Sequence, residues 1–428
     1  MRITMFTNVY RPKIGGITRS IDAFASQFRS NGHVVQIVAP TFEGSTAQDE
    51  EPDVFRIPSL HDIVDGYSLP IPLSARLQDA VTEFAPEVIH AHHPFLLGST
   101  AHKIAALLNV PIVYTHHTRF DAYQALFEEE GSFLQHFAVA LSTNFAALCD
   151  AVVAPGEFVR HCLQEAGVQT RIEVIPTGVD TERFSKGDGA AARRQLDLAP
   201  DVPVAGTISR LSPEKNLGFL TQAASRLLQQ DPRVHFLLVG TGPEQVAILD
   251  HFGEAGIIDR VRAPGLLEGQ DLVDAYAVLD VFMFSSKSET QGMVVTEAMA
   301  SGVPVVALRA SGVEDVLEHG KQGTLLDDED DKCFANATAD LLFCGAERKE
   351  AMKRACRETA EQWSIQRCAQ RMLSLYEELA EKRSAEIEPT TDVAEAWNAF
   401  GRRLHDEFVM FSNVSQSVRD AFVESVFE

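Results

Sequence analysis

The chain has 428 residues, 45% of them hydrophobic, with 37 Lys and Arg against 61 Asp and Glu and a formal charge of −24. That length is too great for one ordinary α/β domain and suits two, each with its own core, while the charge repels phosphate backbones and excludes nucleic acid as the main partner. No apolar run approaches the roughly 18 residues that a membrane span needs, and the six cysteines form no C-x-x-C pair, so they read as reduced structural thiols rather than a disulfide frame or zinc site.

In chain order, the segment Met1 to Asn8 carries a single positive charge and few apolar residues. It is expected to be a first strand rather than a signal peptide, and the protein to stay in the cytoplasm. Ile3 to Thr7, Val34 to Ala39, Val88 to Ala91, Ile112 to Thr115, Ala151 to Ala154 and Ile172 to Ile175 are short runs separated by helix-length segments. This is the rhythm of buried parallel strands in βαβ units. After Pro176-Thr-Gly-Val-Asp180 the chain turns small and polar through Ser185-Lys-Gly-Asp-Gly-Ala190, which predicts an interdomain linker. The rhythm restarts with Val204 to Ser209, Val234 to Val239, Val281 to Phe284 and Val303 to Ala307, predicting a second doubly wound sheet.

The expected organisation is a Rossmann-like domain over 1–183, a second over 184–364, a helix over 365–383 crossing back to the first, and an amphipathic helical extension over 384–428. In the extension, Trp397, Phe400, Leu404, Phe408 and Phe411 fall on one helical face. Its polar face mixes acidic and basic residues, which predicts docking on the protein itself or on a second copy, as in a homodimer, over a membrane foot.

Ligands of doubly wound sheets bind beyond the carboxyl ends of the strands, so those loops hold the candidates. Gly15-Gly16, leading into a helix, would let backbone N–H groups approach a phosphate, though a tight strand-to-helix turn would want the same residues. Ser209-Arg210-Leu-Ser-Pro-Glu-Lys215 sets two cations five residues apart, equipment for a diphosphate or simply two surface charges. Ser288-Glu289-Thr-Gln-Gly292-Met-Val-Val-Thr-Glu297 predicts a loop followed by a helix from about Met293 to Ala300 that stops at Gly302. Two carboxylates flanking the N–H groups of Gly292 and Met293 suit a ligand bearing sugars and phosphates. His90, His92, His93, His116 and His117 could imitate a metal cluster, but they end two strands, and no metal site is expected.

Glu289 and Glu297 followed by Ala-Met-Ala-Ser-Gly302-Val-Pro304 resemble the signature of the retaining family 4 glycosyltransferases. Gly15-Gly16, Val88-Ile-His-Ala-His92, His117-Thr118, Ile175-Pro-Thr-Gly-Val-Asp180, Arg210 with Lys215, and Leu238-Val-Gly-Thr-Gly-Pro243 follow in that family's order over residues 1–383. The resemblance implies the α/β GT-B fold, two Rossmann-like doubly wound parallel-sheet domains facing across a cleft. It implies that Arg210 and Lys215 bind the donor diphosphate, that Gly15 and Gly16 approach it, and that Glu297 holds the ribose. Catalytic roles fall to Glu289 and His117. Thr290, Gln291, Gly292 and Met293 would line the sugar, and the base would pack by Gly265, Leu266 and Leu267. No cofactor or metal is implied, the nucleotide sugar being a co-substrate.

His117-Thr-Arg119-Phe-Asp121-Ala-Tyr123 with Ser288-Glu-Thr-Gln291 looks most like the bacterial diacylglycerol glucosyltransferases. That implies UDP-glucose as donor, a lipid acceptor, peripheral contact with the inner face of the membrane, and acceptor contacts from Tyr10, Arg119, Asp121 and Tyr123. Those enzymes carry a basic amino-terminal domain, whereas this one is acidic, so a small soluble acceptor or a GDP-sugar stays open. An acceptor-independent sugar-nucleotide epimerase is the alternative of another class.

Overall fold

The computed structural model describes residues 1–13, 15–44, 51–64, 67–70, 75–117, 133–287, 289, 291–385 and 417. It divides into two compact units, one of Met1–Thr177 with the described residues from Cys368 onward, the other of Gly178–Arg367.

Unit 1 is built from β1 (Arg2–Phe6), α1 (Gly16–Ser30), β2 (Val34–Pro40), β3 (Val54–Ile57), β4 (Ser59–Val64), β5 (Tyr67–Pro70), α2 (Ala75–Phe84), β6 (Val88–Ala91), α3 (Leu97–Leu108), β7 (Ile112–Thr115), α4 (Phe133–Ala147), β8 (Ala151–Ala154), α5 (Glu157–Glu165) and β9 (Ile172–Val174). Seven strands form a sheet in the order β3-β2-β1-β6-β7-β8-β9, and β4 and β5 pair as an antiparallel hairpin. Every pairing in the large sheet is parallel. The order reverses beside β1, which brings the carboxyl ends of β1, β6 and β7 together.

Unit 2 holds α6 (Thr181–Phe184), α7 (Gly189–Gln195), β10 (Val204–Ile208), α8 (Leu217–Gln230), β11 (His235–Val239), α9 (Gln245–Glu254), β12 (Val261–Gly265), α10 (Gly269–Val278), β13 (Val281–Phe284), α11 (Met293–Ala300), β14 (Val305–Leu308), β15 (Gly323–Leu326), α12 (Asp331–Leu342) and α13 (Ala346–Gln362). Its six strands run β12-β11-β10-β13-β14-β15, all parallel. Side chains alternate between faces along each strand. Val204, Leu237, Phe282 and Phe284 therefore join one apolar cluster, and Ala205, Phe236, Leu238, Val281 and Met283 the other. Each such large side chain contributes about 1.5–3 kcal/mol by leaving water.

The segment expected to be a linker is packed structure. Asp180 caps α6 through Arg183 N at 3.0 Å, and Asp188 caps α7 through Ala191 N at 2.8 Å. A Cβ on Gly187 would stand 2.7 Å from that of Ala277, and one on Gly189 would stand 2.3 Å from the Ala277 carbonyl. The small residues serve close approach to α10, and the two compact units meet in the chain between Thr177 and Gly178.

The last helix, α14 (Ile365–Ala385), starts in unit 2, where Ile365 N donates to the Val179 carbonyl at 2.9 Å. From Cys368 it belongs to unit 1: Tyr376 is fully buried, and Arg171 donates to Glu378 at 2.6 Å. Of the extension beyond 383, Ser384, Ala385 and Ser417 are described. Ser417 is buried and accepts from Asn144 Nδ2 at 3.0 Å; the aromatic stripe from Trp397 to Phe411 lies outside the described residues. No helix among the described residues is long and apolar enough to cross a membrane.

Candidate functional site

In unit 2 the strand order reverses between β10 and β13, so the loops after these two strands lie side by side. The first carries Arg210 and Lys215, the second Glu289. Ser285 and Ser286, which directly follow β13, are buried and use their hydroxyls on the first loop. Ser285 Oγ donates to the carbonyls of Lys215 at 2.9 Å and Asn216 at 3.1 Å, and Ser286 Oγ to that of Glu214 at 3.1 Å. Asn216, left-handed at φ 53°, returns a bond from Nδ2 to the Ser285 carbonyl at 3.3 Å. The Lys215 backbone is thus fastened, and its ammonium donates to Glu289 Oε1 at 2.6 Å. With side chains 19% and 15% exposed, this pair has a stronger attraction than a surface salt bridge.

Glu289 is held from its other side as well. Ser311 Oγ donates to the Glu289 carbonyl at 2.9 Å, and a Cβ on Gly312 would stand 2.7 Å from Gln291 N. Gln291 is buried. Gly292, at φ 65°, begins α11 with no side-chain cap and no acidic residue in the first turn, so the N–H groups that start at Met293 keep their positive potential for an anion. The described residues of the predicted loop and helix stand as expected; Ser288 and Thr290 lie outside the described residues.

Arg210 is brought less close. Its guanidinium is 63% exposed and meets Glu214 at 3.2 Å. Burial alone would raise the Glu214 carboxyl, but the Ser212 hydroxyl, its own backbone N–H, Arg210 and Lys215 hold it below the usual range. The Arg210 loop is clamped to β11 by two glycines: a Cβ on Gly240 would stand 1.8 Å from the Ser209 carbonyl, and one on Gly242 would stand 2.2 Å from that of Leu211. Gly240 N donates to the Gly265 carbonyl at 2.9 Å, and Leu266, next along, is 59% exposed.

Glu297 is no solvated helix residue. It is 8% exposed, and the hydroxyl of fully buried Tyr276, on α10, donates to its Oε2 at 2.7 Å. Tyr276 was not legible as a site residue. Tyr276→Phe should lower stability by about 1–3 kcal/mol, the cost of removing a buried bond to a carboxyl; chemical denaturation reads it, and an unchanged midpoint would show that the bond does no work.

In unit 1, five histidines gather at the carboxyl ends of β6 and β7. His90 bonds to the Tyr376 hydroxyl at 2.5 Å and to Thr115 Oγ1 at 2.7 Å. His92 Nδ1 lies 2.8 Å from His117 Nε2, and His93 Nδ1 accepts from Asn8 N at 3.1 Å. His116 Nδ1 is 3.2 Å from Ser142 Oγ. No group of three or more His, Cys, Asp or Glu among the described residues is arranged to hold a metal ion.

Burial pushes the His90 imidazole down to about 3 and that of His93 down to about 4. Both rings are neutral when folded and take a proton on unfolding below their ordinary 6.5. Their contribution is whole above about pH 6.5 and is lost as pH falls toward the folded values, by up to about 1.4 kcal/mol per pH unit per ring. Melting temperatures between pH 7.5 and 4.5 should fall less steeply for His90→Gln than for the parent chain; equal slopes would contradict this.

Gly15 and Gly16 sit at the start of α1, and a Cβ on either would meet nothing within 4 Å among the described residues. Packing thus makes no demand for glycine there. Tyr10, expected to touch an acceptor, is tied to α1. It is 6% exposed, its hydroxyl donates to Asp22 at 2.6 Å, and burial with that carboxylate raises its pKa. Thr118, Arg119, Asp121 and Tyr123 lie outside the described residues.

Residues 14–183 match the family model Glycosyltransferase Family 4, and residues 189–361 the model Glycosyl transferases group 1. The chain is 26% identical over 363 residues to Alpha-monoglucosyldiacylglycerol synthase of Streptococcus pneumoniae, spanning 82% of this chain and 80% of that protein. It is also 26% identical over 361 residues to GDP-mannose-dependent alpha-mannosyltransferase of Corynebacterium glutamicum, spanning 82% of each. Among solved structures, the Anabaena Alr3699/HepE complex with UDP shares the fold, with a TM-score of 0.71 at 21% identity over 88% of this chain and 100% of that one.

Proposed function

The chain belongs to the family 4 glycosyltransferases of the GT-B fold, and on that premise we propose that it transfers glucose from UDP-glucose to a hydroxyl of diacylglycerol or another lipid, with retention and without a metal ion. The observation that carries this reading is the Lys215–Glu289 pair, fastened by Ser285, Ser286 and Ser311 beside the uncapped start of α11. The bond from the sugar C1 to the diphosphate breaks, a bond from C1 to the acceptor oxygen forms on the same face, and the acceptor proton leaves with a diphosphate oxygen. Lys215, Arg210 and the α11 amides meet the charge that develops on the leaving group, which supplies electrostatically what a metal would otherwise supply. Glu289 orients the hexose hydroxyls, Glu297 accepts from the ribose, Gly16 lets backbone approach the diphosphate, and His117 contacts the sugar.

The relatives named for glucosyldiacylglycerol synthesis support the lipid acceptor, and with it a cytoplasmic protein that touches the membrane peripherally. A second reading, a GDP-sugar with a soluble acceptor, is favoured by the GDP-mannose-dependent relatives and by the charge of −24, which repels anionic lipid. Incubation with UDP-glucose or GDP-mannose, with and without diacylglycerol vesicles, separates the two. The lipid reading expects a glucolipid with the anomeric configuration kept by proton NMR and a rate unaffected by a chelator. Isomerised nucleotide sugar formed without any acceptor would overturn it.

A further inference from the structure

The imidazoles at the carboxyl ends of β6 and β7 form a chain that ends on His117. His90 is held at both nitrogens, by Tyr376 and Thr115, and its ring centroid lies 4.2 Å from that of His92 at 29° between planes. His92, 2% exposed, is thereby fixed in orientation, with Nδ1 2.8 Å from Nε2 of His117. Its other nitrogen, Nε2, is buried with no hydrogen-bond partner among the described residues.

At that separation one of the two facing nitrogens carries the hydrogen, so two neutral arrangements exist. If His117 donates from Nε2, the hydrogen of His92 sits on its own Nε2, a buried N–H with no acceptor among the described residues. If His92 donates from Nδ1, what stays unbonded is only a lone pair. The orphaned N–H is the rarer and costlier outcome. Burial, together with His93, His90 and His116, keeps His117 far below its ordinary value, so the doubly protonated ring is absent at neutral pH.

We infer that His92 is a positioning residue: by donating from Nδ1 it holds His117 in the tautomer protonated at Nδ1, so that His117 offers the hexose an N–H donor and not a proton acceptor. This rests on the proposal that His117 contacts the donor sugar.

The full chain labelled with 15N-histidine tests it directly, since long-range nitrogen–proton correlations report which ring nitrogen carries hydrogen. The expected result is a protonated Nδ1 and a bare Nε2 on His117; a His117 protonated at Nε2 overturns the inference. This readout needs no turnover, so it stands apart from any failure of the transferase assignment. Kinetics give the second arm. His92→Leu, which has no donor, should lose about 10- to 100-fold in kcat, the range seen when orienting groups are removed, with donor KM changed less than about threefold. In His92→Asn the side-chain amide can still donate to His117, and turnover should be at least about fivefold above that of His92→Leu. Equal kcat in the two variants at equal melting temperature would overturn the positioning role.

Discussion

Glu289→Ala is expected to lower kcat about a thousandfold, a loss of about 4 kcal/mol of transition-state stabilisation, with donor KM within about fivefold of the parent. The carboxylate is held on two sides, at its head by Lys215 at 2.6 Å and at its backbone by Ser311 at 2.9 Å, so its placement is prepared before the reaction. A prearranged group contributes most where charge and geometry change between ground and transition states, which puts the effect in kcat. Initial rates against donor concentration read it. A variant that keeps kcat and loses only KM would make Glu289 a simple binding residue.

Lys215→Ala should weaken donor binding, raising donor KM about a hundredfold, the equivalent of about 2.7 kcal/mol for a charge-assisted bond to phosphate, and should lower kcat as well, because the same ammonium meets the charge that develops on the leaving group. Lys215→Arg should not restore it, because the fork of a guanidinium cannot replace a compact ammonium in this fastened loop. Since the two side chains touch, the double variant should fall short of the summed single effects by about 1 kcal/mol or more in kcat/KM. Full additivity would mean that the pair is not coupled.

What could be read from the sequence was what burial writes into it. Val88–Ala91, Ile112–Thr115, Ala151–Ala154 and Val281–Phe284 were expected at their observed bounds, since strands covered on both faces are continuous apolar runs. Val54–Ile57, Val261–Gly265 and Gly323–Leu326 were not expected. Each lies at a sheet edge, where side chains are partly in water and, in β12, Pro264 has no N–H to give. The Ser185–Ala190 stretch was misread because glycines that seat one helix on another have the same composition as those of a linker.

At the site, Lys215 and Glu289 are 74 positions apart and were still identifiable, because each follows a strand of the second sheet. Tyr276 was not, since it lies on α10, 21 positions before the carboxyl it serves, in a helix with no motif. Ser285 and Ser286 left a usable signal, two hydroxyls directly after a wholly buried strand.

The central claim is that Lys215 and Glu289 grip the two ends of the bond that breaks. A crystal structure of the full chain with UDP-glucose bound tests it most directly. The account predicts Lys215 Nζ within hydrogen-bond reach of a diphosphate oxygen and the Glu289 carboxylate bonded to a glucose hydroxyl. A nucleotide sugar bound elsewhere, with Lys215 still closed on Glu289, would contradict it.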